Sequence, residues 1–462
     1  MKNLTLINIA NSCGGKLYCH DDNIANTEVS AIVTDNRQVT KDSMFIAIPG
    51  AKVDGHDFIE DAYNKGAMAV IAEHELDIDK PYIVVENSLT AIKAIATFYR
   101  QQLDIKVVGI TGSVGKTSTK ETIYSVLSQK YNTLKTNGNF NNELGLPLTI
   151  FRLRDEHEIA VLEMGINSFG EMTRLSAIAK PDIAVITNIG LCHLENLKSR
   201  DGILKAKTEM FTSLNPNGKI ILNGDDDKLS TIQDYNGIKP VFYYVDDVKN
   251  KKIYADNISY EGIKETNCDI HYGDETIKAC IHVPGKHMIS NALAAVCVAK
   301  ELGLSKEEIE VGLDSLNTIQ GRNNFVNTGY LTVIDDCYNA NPVSMKASID
   351  VLNQGNTRRV AILGDMFELG KNEEKYHEEI GQYLIDTDIE VVVFIGSLMK
   401  NAFDYLKDNL ENTQMKIYYF DELKGFMDIY KNILEKNDLV LVKASHGMEF
   451  TKIVDELKEY NN

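Results

Sequence analysis

The chain has 462 residues, 44% of them hydrophobic and 25% charged, and a formal net charge of −19. This composition is typical of a globular protein, and the acidic balance argues against generic binding to nucleic acid or to anionic membranes. The seven cysteines are scattered and lack CxxC spacing, which indicates reduced thiols. The apolar run at the N-terminus is too short for a signal peptide, and no run is long enough to span a membrane. We therefore expect a cytoplasmic protein.

The length favours roughly three domains, and the apolar pattern divides the chain at about residues 84 and 316. Residues 1–84 contain short apolar runs and a polar loop, and predict a small α/β domain. Residues 85–316 alternate strands with helices, which is typical of a doubly wound parallel sheet. We expect its strands at 107–111, 159–164, 182–188 and 219–223, and its helices at 88–103, 171–179, 201–214 and 291–302. The polar, strand-like stretch 241–283 predicts an antiparallel addition.

Residues 317–462 repeat the alternation of strands and helices. We expect strands at 331–335, 359–363, 390–395, 416–420 and 439–442, and hence a separate Rossmann-like domain. This segment contains no G-x-G-x-x-G, so it gives little support for dinucleotide binding.

A strand, a glycine-rich turn and a helix follow one another at residues 106–121, KVVGITGSVGKTSTKE. Such a turn can cradle phosphate with its backbone N–H groups, while the helix N-terminus adds positive potential. The spacing departs from G-x-x-x-x-G-K-[ST], because Ile110 stands where the first glycine is expected and a glycine lies at Gly109. The core G-x-x-G-K-T is present, so we predict a nucleotide site formed by Gly112, Ser113, Val114, Gly115, Lys116, Thr117 and Ser118.

Other candidate residues follow the predicted strands of the same sheet, where ligands of such sheets bind. Glu163 ends the strand in VLEMG and could hold Mg²⁺, or it could be a helix-capping or solvated acid. His193 in TNIGLCHLE could be a ligand or an ordinary loop histidine. By spacing alone, Lys207 in LKAKTEMF is a solvated helix lysine.

The segments that carry these residues resemble the Mur ligase family over nearly the whole chain. The resemblance rests on the glycine loop at 111–121 and on LGDMFELG at 363–370, together with KTNGNFNNELGLPLT at 135–149, VLEMGINSFGEM at 161–172, TNIGLCHLE at 187–195 and LKAKTEMF at 204–211. It extends to 34–59 in the first domain, and to PGKHMISNALAA at 284–295, GRNN at 321–324 and DDCYNANPVSM at 335–345. It is strongest to the branch that adds D-alanyl-D-alanine.

The resemblance implies an ATP-dependent, ADP-forming amide ligase of bacterial peptidoglycan synthesis. Its substrates would be UDP-MurNAc-tripeptide and D-Ala-D-Ala, and the reaction would pass through an acyl phosphate. The family pattern implies two Mg²⁺ ions, and a carbamate formed from CO₂ on Lys207. We expect a cytoplasmic monomer that binds neither nucleic acid nor membrane. The third residue of the tripeptide, meso-diaminopimelate or L-lysine, stays open.

The same resemblance implies roles for individual residues. The catalytic set would be Lys116, Glu163, His193 and Lys207, and the metal ligands would be Thr117, Glu163, His193 and carbamylated Lys207. Asn291 would contact the base of the nucleotide, and Arg322, Asp336 and Asn341 would lie near it. The UDP-sugar substrate would meet Asn36, Lys52, Asn139 and Asn142. His446 stands where relatives often have arginine, and Asn36 where most have serine.

The sequence is compatible with two alternative functions. Another Mur-type or folylpolyglutamate-type amino acid ligase is disfavoured by GNFNNELGLP and LGDMFELG. A nucleotide-binding switch that makes no bond needs fewer metal ligands than Glu163, His193 and Lys207 would supply.

Overall fold

Four sheets organise the chain in the computed structural model, which describes residues 1–50, 52–316, 320–410 and 415–460. The chain forms two compact units. The first unit comprises Met1–Thr111, Tyr131–Val185 and Thr208–Ile220, and the second comprises Gly112–Lys130, Ile186–Lys207 and Ile221–Asn462. The predicted boundary between residues 316 and 317 lies at the edge of a segment, 317–319, that is outside the described residues, so it stays a prediction.

The first sheet has five strands in the order β1-β5-β4-β3-β2. They are β1 (Lys16–Tyr18), β2 (Ile32–Val33), β3 (Met44–Ile46), β4 (Ala69–Ala72) and β5 (Tyr82–Val84). The strand β1 pairs antiparallel with β5, and the other pairs are parallel. Helices α1 (Leu6–Cys13), α2 (Asp22–Ala25), α3 (Ile59–Asn64) and α4 (Ser88–Gln101) accompany it. The predicted small α/β domain is thus confirmed.

The second sheet contains six strands in the order β11-β10-β9-β6-β8-β7. They are β6 (Lys106–Thr111), β7 (Thr133–Lys135), β8 (Ile159–Glu163), β9 (Ile183–Ile186), β10 (Lys219–Asn223) and β11 (Val241–Tyr243). The strands β6 and β8 pair in parallel and place Ile110 opposite Glu163. The strands β8 and β9 are buried throughout, as expected of apolar runs in a parallel sheet. The helices that follow are α5 (Lys116–Leu127), α6 (Gly145–Ile150), α7 (Glu171–Ala179), α8 (Leu194–Leu197) and α9 (Arg200–Thr208).

The predicted antiparallel addition at 241–283 is confirmed for β12 (Ile253–Tyr260), β13 (Thr266–Tyr272) and β14 (Glu275–Ile281), which form a three-stranded sheet. The prediction is wrong for Val241–Tyr243, because this strand pairs in parallel with β10. Buried and more exposed residues alternate along β13 and β14, because only one face of this sheet packs against the core. The helices α10 (Lys286–Glu301) and α11 (Lys306–Asp314) follow. A capping box between Ser305 and Glu308 fixes the start of α11.

The last sheet has six strands in the order β15-β16-β20-β17-β18-β19. They are β15 (Asn324–Asn327), β16 (Thr332–Asp335), β17 (Arg359–Gly364), β18 (Val391–Ile395), β19 (Lys416–Phe420) and β20 (Leu439–Lys443). Only β15 runs antiparallel to its neighbour. The helices are α12 (Pro342–Asn353), α13 (Glu373–Ile385), α14 (Met399–Asn409), α15 (Leu423–Met427) and α16 (Thr451–Glu459). Two apolar clusters divide the alternating side chains of the parallel strands, which confirms the Rossmann-like prediction.

Single turns of 3₁₀ helix connect several of these elements, at Asn36–Gln38, Gly55–Phe58, Glu209–Ser213, Leu229–Thr231, Gly370–Asn372, Tyr430–Asn432 and His446–Met448. In the part of the chain that the structure describes, no helix combines the length and the apolar character needed to cross a membrane.

Candidate active site

The glycine loop connects β6 to α5 and adopts backbone angles that other residues rarely reach. Gly112 has φ of 154°, and a Cβ atom there would lie 1.9 Å from the Thr187 hydroxyl oxygen. Gly115 has φ of 82° and precedes the first residue of α5. Both positions therefore require glycine, which leaves the backbone of the loop accessible to a phosphate group.

Two polar residues after β9 hold the middle of the loop. The Asn188 side chain accepts from the Val114 N–H at 2.9 Å and donates to the Val114 carbonyl at 3.0 Å. The Thr187 hydroxyl donates to the same carbonyl at 2.6 Å. Because both backbone groups of Val114 are bonded, the loop has a fixed shape.

Two lysines meet at one carbonyl oxygen of the loop. Lys116 Nζ donates to the Gly112 carbonyl at 2.8 Å, and Lys207 Nζ donates to it at 3.0 Å. Lys207 is only 1% exposed. Burial, and to a lesser degree the charge of Lys116, lowers the pKa of Lys207 to about 8. About a tenth of this amine is therefore neutral at pH 7, far more than of a solvated lysine.

His193 begins α8 in the left-handed region, with φ of 52°. Its Nδ1 lies 2.8 Å from a carboxylate oxygen of Glu368, in the LGDMFELG segment. Burial lowers the pKa of His193, the Glu368 charge raises it, and the charges of Lys116 and Lys207 lower it further. The imidazole thus belongs to the same charged cluster as the two lysines.

Asn291, the residue predicted to contact the nucleotide base, connects the first turns of α5 to α10. Thr117 is buried, and Ser118 lies beside it on the first turn of α5. The Thr119 hydroxyl donates to the Asn291 side-chain oxygen at 2.8 Å, and Asn291 Nδ2 donates to the Met288 sulfur. Asn291 therefore holds two helices together, and its contact with the nucleotide base stays a prediction.

Glu163 lies in the first unit, at the last residue of β8, with only 2% of its side chain exposed. Its Oε1 accepts from Asn141 Nδ2 at 2.7 Å, and its backbone N–H donates to the Thr136 hydroxyl at 3.0 Å. Asn141 and Thr136 both belong to the KTNGNFNNELGLPLT segment. This segment therefore orients the Glu163 carboxylate at the end of β8.

The predicted nucleotide residues of the last sheet are already engaged with their neighbours. The Arg322 guanidinium lies 4.4 Å from the centre of the Tyr338 ring. Asp336 forms a buried ion pair with Lys443 and accepts from the Ser348 hydroxyl. Asn341 caps α12, since its side chain accepts from the Ser344 N–H at 2.9 Å.

The predicted substrate residues all lie in the first unit. Asn36 is half-buried, and its Nδ2 donates to Asp61 at 2.7 Å, while Lys52 is exposed. Asn139 and Asn142 are also exposed, and Asn142 accepts from the Gly145 N–H at the start of α6. Their contacts with a UDP-sugar stay predictions.

Several contributors to this site were not singled out from the sequence. Thr187, Glu368, Asn141 and Lys443 act on predicted residues through contacts between segments remote in the chain. Glu368 and Asn141 lie inside motifs that carried the resemblance, so those motifs were the available signal.

A parallel sheet with a fixed glycine loop, followed by a helix that opens with Lys116 and Thr117, defines an α/β nucleotide-binding protein. Family models match three successive segments: "Mur ligase family, catalytic domain" at 28–109, "Mur ligase middle domain" at 110–299 and "Mur ligase, glutamate ligase domain" at 321–446. The chain is 35% identical to the UDP-N-acetylmuramoyl-tripeptide--D-alanyl-D-alanine ligase of Bacillus subtilis (strain 168), and the match covers 98% of each chain.

Solved structures agree with this sequence match. MurF from Acinetobacter baumannii superposes with a TM-score of 0.88 at 31% identity, covering 99% of each chain. MurF ligase from Thermotoga maritima, solved in complex with ADP, gives a TM-score of 0.79 at 29% identity, covering 93% of this chain and 97% of its own. The chain belongs to the Mur ligase family, and it is an ATP-dependent ligase.

Proposed function

We propose that this protein joins D-alanyl-D-alanine to the terminal carboxylate of UDP-MurNAc-tripeptide, with hydrolysis of ATP to ADP and phosphate. The product is UDP-MurNAc-pentapeptide, used in peptidoglycan synthesis in the bacterial cytoplasm. The observation that carries the proposal is the similarity over 98% of the chain to a relative that bears this activity in its name. The protein acts as a monomer.

The reaction needs an activated carboxylate, because a free carboxylate does not release an oxygen to an attacking amine. An oxygen of the tripeptide carboxylate attacks the γ-phosphorus of ATP, ADP leaves, and an acyl phosphate forms. The amine of D-Ala-D-Ala attacks the acyl carbon and gives a tetrahedral intermediate. Collapse of that intermediate expels inorganic phosphate, and the amine gives up a proton as the amide forms.

The glycine loop places positive potential where this transfer takes place. Because the N–H groups of Ser113 and Val114 are bonded to Asn188, the phosphates would face the N-terminal end of α5, and Lys116 supplies a cation beside the loop. Positive charge is required twice, since a carboxylate anion must approach a polyphosphate and charge builds up on the transferred group. Lys116 therefore stabilises both the encounter and the transfer.

Three of the four residues predicted as metal ligands, Thr117, Glu163 and carbamylated Lys207, would offer the oxygen donors that Mg²⁺ prefers, whereas His193 would offer a nitrogen. Thr117 would offer a hydroxyl and Glu163 a carboxylate to a bound Mg²⁺, and His193 would serve a second ion. Lys207 joins the set once its neutral amine has added CO₂ and released a proton, and the lowered pKa of this buried lysine favours that reaction. Bound Mg²⁺ would neutralise charge on the phosphates and the acyl phosphate.

The remaining predicted residues orient the two nucleotides. Asn291 contacts the adenine, and Arg322, Asp336 and Asn341 face the ribose side of ATP. Asn36, Lys52, Asn139 and Asn142 bind the UDP-sugar. Lys443 holds the Asp336 carboxylate in place through a buried ion pair.

Phosphate release from ATP tests this proposal. We expect rapid release only when UDP-MurNAc-tripeptide and D-Ala-D-Ala are both present, and loss of release in Lys116→Ala. An exposed lysine on α9, Lys205, provides the matched control, since Lys205→Ala keeps the loop intact. Release that is indifferent to the dipeptide would contradict the proposal. Comparing the meso-diaminopimelate and L-lysine tripeptides identifies the natural substrate.

A further inference from the structure

A group of metal-ligating side chains lies at one end of the β13–β14 hairpin, outside the residues assigned above. Glu265 directly precedes β13, Cys280 lies in β14 and His282 directly follows it. The register pairs Thr266 with Ile281, so Glu265 and His282 are the next residues along each strand. Cys280 and His282 are two positions apart and therefore share the outward face of the sheet.

The donor atoms of these residues are close together. Glu265 Oε2 lies 3.3 Å from His282 Nδ1 and 3.7 Å from Cys280 Sγ, and Cys280 Sγ lies 4.0 Å from His282 Nε2. One donor atom from each of the three residues falls within 4.8 Å of the others. Tetrahedral zinc, with bonds of 2.0–2.3 Å, separates its ligand atoms by roughly 3.3–3.8 Å. Small side-chain rotations therefore bring the three donors to coordination distance.

A further carboxylate lies beside this group, on the neighbouring helix. Asp314 is the last residue of α11, and its Oδ1 lies 3.0 Å from His282 Nε2. Asn267 supports the group from behind, because its Nδ2 donates to Glu265 Oε1 at 3.0 Å and leaves Oε2 directed toward Cys280 and His282. Metal ligands in proteins are commonly oriented by such hydrogen bonds.

The chemistry of the donors selects the kind of ion. A thiol, an imidazole and two carboxylates suit Zn²⁺ and related transition metals, whereas Mg²⁺ and Ca²⁺ prefer oxygen alone. Burial and the two carboxylates, Glu265 and Asp314, raise the pKa of Cys280 to about 11, so the thiol keeps its proton near neutral pH. Coordination forms a sulfur–metal bond and releases that proton to solvent.

We propose that Glu265, Cys280, His282 and Asp314 form a zinc site that joins the end of the β13–β14 hairpin to the C-terminal end of α11. The site is separate from the nucleotide loop and does not depend on the proposed ligase reaction. Its role is structural, since the bound ion fixes a strand pair against a helix.

Cobalt titration of the chelator-treated full-length protein tests this site. We expect one equivalent of Co²⁺ to produce a sulfur-to-cobalt charge-transfer band and strong visible bands typical of tetrahedral coordination. Added Zn²⁺ should remove both, and Mg²⁺ should leave them unchanged. The charge-transfer band should be absent in Cys280→Ser and weakened in His282→Ala. Cys19→Ser removes another partly exposed thiol and should keep the full spectrum.

Thermal unfolding adds an independent measurement. Zn²⁺ should raise the Tm of the unmodified protein but not that of Cys280→Ser, because an ion that binds only the folded state stabilises it. Circular dichroism verifies that each variant is folded before it is titrated. The absence of a charge-transfer band in the unmodified protein, or its persistence in Cys280→Ser, would overturn the proposal.

Discussion

The environment of Lys207 in the fold differs from the one that its position in the sequence predicts. By spacing alone it is a solvated helix lysine, but its side chain is buried and its Nζ donates to the Gly112 carbonyl. Lys205, two positions earlier, is exposed. Since burial cannot be read from the spacing of these two lysines, only the family resemblance could select Lys207.

Replacing Lys207 with alanine tests its proposed carbamate. We expect Lys207→Ala to lower kcat by at least about 100-fold, because the carbamate that would hold a Mg²⁺ ion near the transferred phosphate is lost. Short carboxylates such as acetate should restore part of the activity, whereas Lys205→Ala should need no rescue. If turnover of Lys207→Ala stays near normal, the catalytic role of this lysine is wrong.

His287 gives a prediction about stability and pH. Burial lowers the pKa of His287 from 6.5 to about 4, and its Nε2 contacts Asn323 at 3.1 Å. Between these two values the unfolded chain binds more protons than the folded one, so the contribution to stability is present above pH 6.5 and is lost as the pH falls toward 4.

We therefore expect His287→Gln to reduce the stability difference between pH 7 and pH 4.5 by about 2 kcal/mol. Unfolding in urea at the two pH values measures this. His20 is 93% exposed, so His20→Gln is the control and should leave the difference unchanged. An unaltered pH dependence in His287→Gln would show that this imidazole is not a determinant of acid stability.

At the scale of elements, the backbone of the turn from β6 to α5 is constrained by its neighbours. A Cβ atom at Gly112 would collide with the Thr187 hydroxyl, and that hydroxyl also bonds the Val114 carbonyl. We expect Gly112→Ala to weaken ATP binding by at least about tenfold, since the loop must shift to admit the methyl group.

Isothermal titration with ATP measures the affinity of Gly112→Ala. Gly237 provides the control, because it also has a positive φ of 85° but nothing within 4 Å of an added Cβ. Gly237→Ala carries the backbone cost of that conformation without a collision. Unchanged ATP affinity in Gly112→Ala would contradict the proposed position of the phosphates.

Asn341, at the start of α12, has an observed role as a helix cap and a proposed role in binding ATP, and two substitutions can distinguish them. Asn341 forms a capping box with Ser344, so Asn341→Ala should destabilise the protein by about 1 kcal/mol. Asn341→Ser keeps a capping oxygen and should retain stability, yet both variants should bind ATP more weakly. Isothermal titration measures the ATP affinity of both variants. Full ATP affinity in Asn341→Ser would show that Asn341 caps α12 but does not contribute to ATP binding.

Most elements could be predicted from sequence because parallel strands buried on both faces form continuous apolar runs. The strands Lys219–Asn223 and Lys416–Phe420 have the predicted bounds. The strands Thr133–Lys135 and Asn324–Asn327 were missed, since they are short, lie at sheet edges and are only partly buried. These two strands form because each pairs with a neighbouring strand, and the local sequence pattern does not reveal that pairing.

In the candidate site too, features set by local sequence could be predicted and contacts between remote segments could not. The glycine loop and the residues at strand ends could be located because local sequence dictates a turn or ends an apolar run. The pairs His193–Glu368 and Asp336–Lys443 could not, because each joins segments that only the fold brings together. Contacts of this kind set the charge of the candidate site, and local sequence does not reveal them.

At the scale of the whole molecule, a protein of net charge −19 must bind two phosphate-rich substrates. The overall field opposes their approach, so local groups such as the glycine loop and Lys116 must supply the attraction. The matches along the whole chain connect this local chemistry to one reaction, in which the γ-phosphate of ATP passes to a carboxylate.

Oxygen isotope transfer tests that central claim most directly. UDP-MurNAc-tripeptide labelled with ¹⁸O in its terminal carboxylate is converted with ATP and D-Ala-D-Ala, and the released phosphate is analysed by mass spectrometry. An acyl phosphate requires one ¹⁸O atom in each released phosphate, with the other retained in the new amide. Unlabelled phosphate released along with the pentapeptide product would contradict the account.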